Sequence, residues 1–392
     1  MDEVVILSAS RTATGKFSGT LKDVPATELG ATVIKESVRR SGVAPSEIQE
    51  CIMGIVLSAG CGQNPARQAA VKAGLRVQIG SLNVNKVCGS GLKSVMLAAN
   101  SIKSGEHDAI VAGGMESMNM APYILKGARF GYRMNDNKIV DSMVCDGLWD
   151  AFNDIHMGLT AETVAERFGV TREQADELSF QSHMKAQAAT VAGKFEKEIV
   201  PYVIQSKKGN IEFKADEGIR ADTSMEALAK LKPAFKQGGI VTAGNSSQVS
   251  DGAAAVVVSS RRYAEEHGLK PMAKIVGYHT GGVEPAHIME APIPTTRELL
   301  AKLHMKIDDI DLFEHNEAFA TASVAIRKEL GVPAERFNVN GGAIALGHPI
   351  GCSGARLLTT LLYSMIDRRA KTGLTTLCLG GGNAVSMVIE RE

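Results

Sequence analysis

Large aromatic side chains are scarce in this 392-residue chain: Phe, Trp and Tyr together make up 5%, with a single Trp. Glycine is plentiful instead, at 40 residues, so tight turns and close backbone approaches are expected to shape the interior. Excess charge of either sign is missing, since Lys plus Arg and Asp plus Glu each number 43. That balance gives no global pull toward nucleic acid or an anionic membrane surface. No apolar run approaches the ~20 residues of a membrane helix. The six cysteines (Cys51, Cys61, Cys88, Cys145, Cys352 and Cys378) are dispersed and never form C-x-x-C. Such spacing argues against both a disulfide framework and a zinc site, so no metal is expected. The stretch MDEVVILSAS reads as a strand with no basic leader-like region, and with the scattered thiols it leads us to expect a cytoplasmic protein. A Walker A string and a dinucleotide G-x-G-x-x-G are both absent, so ATP and NAD are not implied.

A chain of this length exceeds one ordinary core, and two or three domains are expected. Strand-like runs (4–9, 50–57, 81–87, 108–114) alternate with helical periods (26–41, about 64–73, and onward from 89). This order implies an α/β fold with a largely parallel sheet. The chain then echoes itself: FNVNGG at 337–342 repeats LNVNKV at 82–87, and GCSGARLLTTLLYSM at 351–365 repeats CGSGLKSVMLAANSI at 88–102. TTLCLGGGNAVSM at 375–387 likewise follows DAIVAGGMESM at 108–118, and KIDDIDLFEHNEA at 306–318 matches the place of APSEIQECIMGIV at 44–56. Four echoes in one order point to two copies of one unit. The expected division is 1–118, completed by about 249–269, then 119–248, then 270–392. The middle part breaks the repeat and reads as an inserted loop domain, with a helix opening on the Thr-x-x-Gln box TREQ at Thr171.

Four strings offer chemistry. Cys88, in NKVCGSGLKS, stands at a strand-to-helix junction, where free N–H groups and the helix dipole favour a thiolate. Gly89 and Gly91 are expected to let a substrate approach that backbone. His348 lies in the glycine-rich GGAIALGHPIGCSGA, at the place corresponding to Cys88 in the second copy, and an imidazole beside a thiol activates a nucleophile. Cys378 closes a strand and runs into three glycines whose N–H groups suit a developing oxyanion. Asn316 and Glu317, in EHNEAFA, suit the orientation of a water or a hydrogen-bond network. Taken singly, each string has a plainer reading: a buried structural cysteine, a turn histidine, a tight turn after a strand, a helix cap.

Together with GGMESM, DGLWDAFNDIHMGLTAE and TAGNSSQVSDGAA, these strings resemble the thiolase family in order and spacing along the whole chain. The resemblance implies the thiolase-like fold, two pseudo-repeated mixed-sheet halves stacked in layers with the loop domain inserted. It implies reversible condensation of two acetyl-CoA to acetoacetyl-CoA and CoA, through an acetyl group on Cys88. His348 would take the thiol proton, and Cys378 would deprotonate the second acetyl-CoA. His348 and a water on Asn316 would hold the enolate oxygen, while the N–H groups of Cys88 and Gly380 would hold the tetrahedral intermediate. CoA would run past His156, Met157, Arg220, Ser224, Ser247, Ala318 and Phe319, as a substrate and not a resident cofactor. Lys230, Lys232 and Lys236 suit its phosphates, although a solvated face is the plainer reading. The family also implies a homotetramer, joined through the loop at 121–143.

The chain departs from the family's pattern at Gln248, Cys352, Asn383 with Ala384, and His315; Cys352 would add a thiol beside His348, and strand alternation points His315 away from Asn316. A thiolase for longer 3-ketoacyl chains carries the same catalytic strings. A non-catalytic acyl-CoA-binding relative would have lost one of them. A decarboxylating ketoacyl synthase would need His in place of Cys378. Cys88 and Cys378 sharing a pocket also raises the prospect of a reversible disulfide.

Overall fold

A computed structural model describes residues 2–205 and 209–392; Ser206, Lys207 and Lys208, part of the polar stretch noted above, lie outside the described residues, as does Met1. The first repeat contributes β1 (Val4–Thr12), α1 (Ala26–Ser41), β2 (Glu50–Gly54), α2 (Pro65–Lys72), β3 (Gly80–Val84), α3 (Ser90–Lys103) and β4 (Ala109–Ser117). Two helices of the middle region follow, α4 (Met157–Phe168) and α5 (Arg172–Val191), then β5 (Ser250–Ser260). The second repeat supplies β6 (Ala273–Gly282), α6 (Pro292–Lys302), β7 (Leu312–His315), α7 (Ala320–Leu330), α8 (Ser353–Arg368), β8 (Thr372–Leu379) and β9 (Asn383–Arg391).

Strand order is β7-β8-β9-β6-β1-β5-β4-β2-β3. Read outward from the β6–β1 junction, the halves correspond strand for strand: β1 with β6, β5 with β9, β4 with β8, β2 with β7. Even the short β3 has a counterpart, because Phe337, at the head of the echoing FNVNGG, bridges in parallel to Phe313 of β7. Among the ladders of the described residues, β2 pairs in parallel with β3 and β4, β7 with β8, and Ile199–Val200 with β1; the remaining ladders are antiparallel. The largely parallel sheet expected from the alternation is therefore mixed, because β5 and β9 return beside their neighbours in the opposite sense.

Side-chain alternation along β1 separates the layers. Val4 and Ile6 join a central core with Leu92, Val95, Leu357 and Leu361 of α3 and α8. Val5 and Leu7 face the outer core with Leu29, Val33 and Ala69 of α1 and α2. Residues of α6, α7 and α4 (Leu299, Ala322, Ala161) form the corresponding core of the second half. The paired helices α3 and α8 thus form the middle layer. Glycine at their first turns permits it, since a Cβ on Gly91 would lie 2.8 Å from Ala355 N, and one on Gly354 would lie 2.5 Å from Leu92 N.

The middle region is anchored by charge as well as by packing. Fully buried Arg11 donates from Nε to Glu198 at 2.6 Å and from Nη1 and Nη2 to Asp216 at 2.7 and 2.9 Å. Removing one member would leave a buried charge unpaired, at about 3–5 kcal/mol. Helix α5 opens with both halves of the capping box: Gln174 N donates to Thr171 Oγ1 at 3.3 Å, and Thr171 N to Gln174 Oε1 at 3.0 Å.

Candidate active site

Chain ends of equivalent elements converge on one cavity of ≈ 270 Å³, lined among others by Cys88, His348, Cys378 and Gly380. His156, Met157, Ser247, Ala318 and Phe319 line it too. Two residues expected on the CoA path are not brought there. The Arg220 side chain is exposed, with its N–H donated to His183 Nδ1 at 3.1 Å, and Ser224 is spent capping the helical turn Met225–Ala229. Neither residue lines this cavity, because the loop at 218–224 runs over α5 instead. Of the lysines, Lys236 is paired with Glu166, and Lys230 and Lys232 are exposed.

Cys88 sits one residue before the Gly89 N-cap of α3, on a strained turn. Val87 has φ +46°, a left-handed conformation that a β-branched residue adopts only when its surroundings impose it. Three hydrogen bonds do so: Val87 N to Asn85 Oδ1 at 3.0 Å, Ser90 Oγ to Val87 O at 2.6 Å, and Lys86 N to Ser90 Oγ at 2.8 Å. The glycines after the thiol serve packing, contrary to the expectation that they open the backbone to substrate. A Cβ on Gly89 would lie 2.4 Å from Leu379 Cδ2, and Gly91 is filled by α8.

The thiolate expectation also changes. Burial pushes the Cys88 thiol well above its ordinary range, Cys378 adds to this, and the N–H groups of Cys88 and Gly380 only partly offset it. The little exposure Cys88 keeps is to the cavity. It rests as a thiol, and its proton must leave as it attacks. The acceptor is at hand. Ser353 Oγ donates to Pro349 O at 2.8 Å, so its remaining contact, 2.6 Å from His348 Nδ1, is one in which the ring nitrogen donates. This fixes the tautomer and leaves the Nε2 lone pair free. Burial pushes His348 down to about 3, so the ring rests neutral, with a nitrogen unprotonated and able to receive a proton. Its backbone N–H is held at 3.2 Å by both Gln248 O and Ser250 Oγ.

Fully buried Asn316 places Nδ2 3.3 Å from His348 Nε2 and 3.5 Å from Nδ1. Near-equal distances mean that the amide is not aligned on the Nε2 lone pair, the one the ring keeps. Among the described residues its Oδ1 has no partner, so the amide retains hydrogen-bonding capacity. Glu317 does carry a network: it accepts from Ser182 Oγ at 2.6 Å and Asn338 Nδ2 at 2.7 Å. Cys378 is raised to about 12 by burial, and its S–H points to Met289 Sδ at 3.7 Å.

The departures resolve individually. Gln248 lines the cavity and donates from Nε2 to Gly218 O at 2.8 Å and Ile344 O at 3.1 Å, holding those two segments together behind the cavity wall. Cys352 is not beside the reacting atoms; it is buried against Ala254 and Ala355, outside the cavity lining. His315 turns away from Asn316 to meet Ser323 Oγ at 3.1 Å and stacks on Phe337. Sequence reasoning missed Phe235, which stacks on His156 at 4.8 Å and meets Phe319 edge-on at 6.1 Å. It also missed Met289 and Ser353. Ser353 had a signal in the sequence, a hydroxyl five residues beyond a candidate base; the apolar walls had none.

Comparison with known proteins gives the arrangement its relatives. The description "Thiolase, N-terminal domain" matches residues 4–262, and "Thiolase, C-terminal domain" matches residues 269–391. An acetyl-CoA acetyltransferase of Cupriavidus necator is 52% identical over 393 residues, covering 100% of both chains. One from Chromobacterium violaceum is 53% identical over 390 residues, 99% of this chain and 100% of its own. The crystal structure of the Bacillus anthracis acetyl-CoA acetyltransferase superimposes with a TM-score of 0.98 at 41% identity, covering 100% of this chain and 99% of that one. With both halves matched and the fold shared end to end, the chain belongs to the thiolase family.

Proposed function

We propose that the chain is an acetyl-CoA acetyltransferase that interconverts two acetyl-CoA with acetoacetyl-CoA and CoA. The observation that carries this reading is a thiol, a neutral imidazole with a free Nε2, and a second thiol lining one apolar cavity. In the first half-reaction Cys88 Sγ attacks the thioester carbonyl as His348 Nε2 takes its proton. The N–H groups of Cys88 and Gly380 receive the negative charge on the carbonyl oxygen; losing one such donor costs about 3–4 kcal/mol. CoA thiolate leaves with the proton returned by His348, and Cys88 carries the acetyl group.

In the second half-reaction Cys378 acts as its thiolate, its own proton first passed to His348 Nε2, and takes a proton from the methyl carbon of another acetyl-CoA; His348 later returns the proton it holds to the departing Cys88 sulfur. The enolate oxygen lies near His348 and Asn316, and the carbanion attacks acetyl-Cys88, whose sulfur leaves. Here a high Cys378 pKa is useful, because only a basic thiolate competes for a carbon-bound proton. The wall of His156, Phe235 and Phe319 suits the pantetheine arm, and CoA acts as substrate and product, with no resident cofactor. Six free cysteines support a reducing, cytoplasmic setting. Exposed Tyr123, Phe130, Met134 and Ile139 on the loop at 121–143 support a homotetramer.

The test is CoA-dependent thiolysis of acetoacetyl-CoA beside 3-ketohexanoyl-CoA. Strong preference for the four-carbon substrate is expected. Equal or better use of the longer chain would reassign the enzyme to broader 3-ketoacyl-CoA thiolysis. Activity on neither, with folded protein, would contradict catalysis altogether.

A further inference from the structure

Asn383 stands just beyond the glycine turn that carries Gly380, and Lys86 stands two residues before Cys88. The Lys86 Nζ donates to Asn383 Oδ1 at 3.0 Å. Lys86 is half-buried, and its partner in this bond is an amide and not a carboxylate. Room for the amide is provided opposite, since a Cβ on Gly282 would lie 2.9 Å from Asn383 Nδ2. The two loops meet at a second point. A Cβ on Gly380 would lie 3.2 Å from Val87 Cγ1, so the strained Val87 rests directly on the backbone that offers its N–H to Cys88.

We propose that Lys86 and Asn383 are a positioning pair, a cross-cleft tie that holds the Gly380 N–H at its working distance from the Cys88 sulfur. Neither side chain lines the cavity, so the pair acts through the backbone of the two loops. Without the tie, the loops keep only apolar contacts among those named here, Val87 on Gly380 and Gly89 on Leu379, and the turn at Val87 has one fewer restraint against relaxing. The loss falls on the tetrahedral state at Cys88, where charge reaches the Gly380 N–H, and not on CoA binding along the tunnel.

The inference rests on acetyl transfer through Cys88. Its test is a double-mutant cycle read by single-turnover acetylation of Cys88 with acetyl-CoA, with KM measured alongside. Lys86→Met and Asn383→Ala are each expected to slow acetylation about tenfold, as for loss of a charge-assisted hydrogen bond, with KM within about twofold. The double variant should be no slower than the worse single one. Lys86→Arg and Asn383→Asp keep donor and acceptor and should stay within about threefold of the parent. Multiplying effects, singles within about twofold of the parent, or an Asn383→Asp loss as large as that of Asn383→Ala would overturn the tie. A parent protein that never forms acetyl-Cys88 would instead defeat the proposed function; normal acetylation by parent and variants alike defeats this inference alone.

Discussion

Replacing Ser353 by Ala tests how the structure keeps His348 a base. Ser353 Oγ lies 2.6 Å from Nδ1 and is fully buried, with its own hydrogen committed to Pro349 O. In the variant the Nδ1–H loses its acceptor in a site closed to solvent. An unsatisfied buried donor costs about 1–3 kcal/mol, and the ring escapes that cost by moving its proton to Nε2. That tautomer has no lone pair facing the thiol. At about 1–3 kcal/mol, the fraction of His348 in the competent form falls by roughly five- to a hundredfold. Single-turnover acetylation should slow by that factor, with KM for acetyl-CoA nearly unchanged, because Ser353 does not line the cavity. Thermal unfolding separates this from a packing loss. Acetylation within about twofold of the parent, with an intact fold, would refute the tautomer argument.

Other outcomes follow from the same geometry. Cys378→Ala should retain acetylation of Cys88 but lose condensation and acetoacetyl-CoA thiolysis by about 10²–10⁴-fold, the usual span of a proton-transfer group; quenched-flow mass spectrometry of the trapped acetyl-enzyme reads this. Gln248→Gly removes the donations to Gly218 O and Ile344 O and should lower urea-unfolding stability by about 1–2 kcal/mol while raising KM more than it lowers kcat. Glu116 is fully buried, and burial pushes it up to about 7, against the pull of the Val56, Leu57 and Gly351 N–H groups and with Asp251 adding to the rise. The folded state therefore holds this proton more tightly than the unfolded chain. The stability from it is complete below about pH 4.5 and is lost as pH rises through about 7. Glu116→Gln should thus gain on the parent by about 3 kcal/mol between pH 4.5 and 8, read as the change in relative urea midpoints; a pH-independent difference would count against a buried, titrating carboxyl.

Much of this architecture was readable before any coordinates, for identifiable reasons. Helix α1 falls on its expected limits, 26–41, because an uninterrupted 3.6-residue period leaves one solution. The echoes LNVNKV and FNVNGG landed on equivalent positions because each copy must bury the same faces. Cys88, His348 and Cys378 were visible as chemistry-bearing residues next to glycine. What the glycines do was not visible: whether Gly91 admits a ligand or a helix depends on where α8 lies, a contact hundreds of residues away in the chain. Phe235 and Met289 gave no signal, since an apolar residue facing a cavity looks like one facing a core. That Arg220 and Ser224 stand outside the cavity was not legible, because a loop's path over α5 is set by tertiary packing and not by local pattern. The thiolate expectation failed for a related reason. Helix position can be read from sequence, but the depth of burial that outweighs it cannot.

The central claim is that Cys88 carries the acetyl group between the half-reactions. It is tested most directly by mixing the protein with acetyl-CoA in the absence of free CoA, quenching in acid, and mapping peptides by mass spectrometry. The account predicts one acetyl group, on the peptide containing Cys88, which disappears when CoA is added and never forms in Cys88→Ala. Acetylation at Cys378 instead, or turnover of acetoacetyl-CoA that persists in Cys88→Ala, would contradict it.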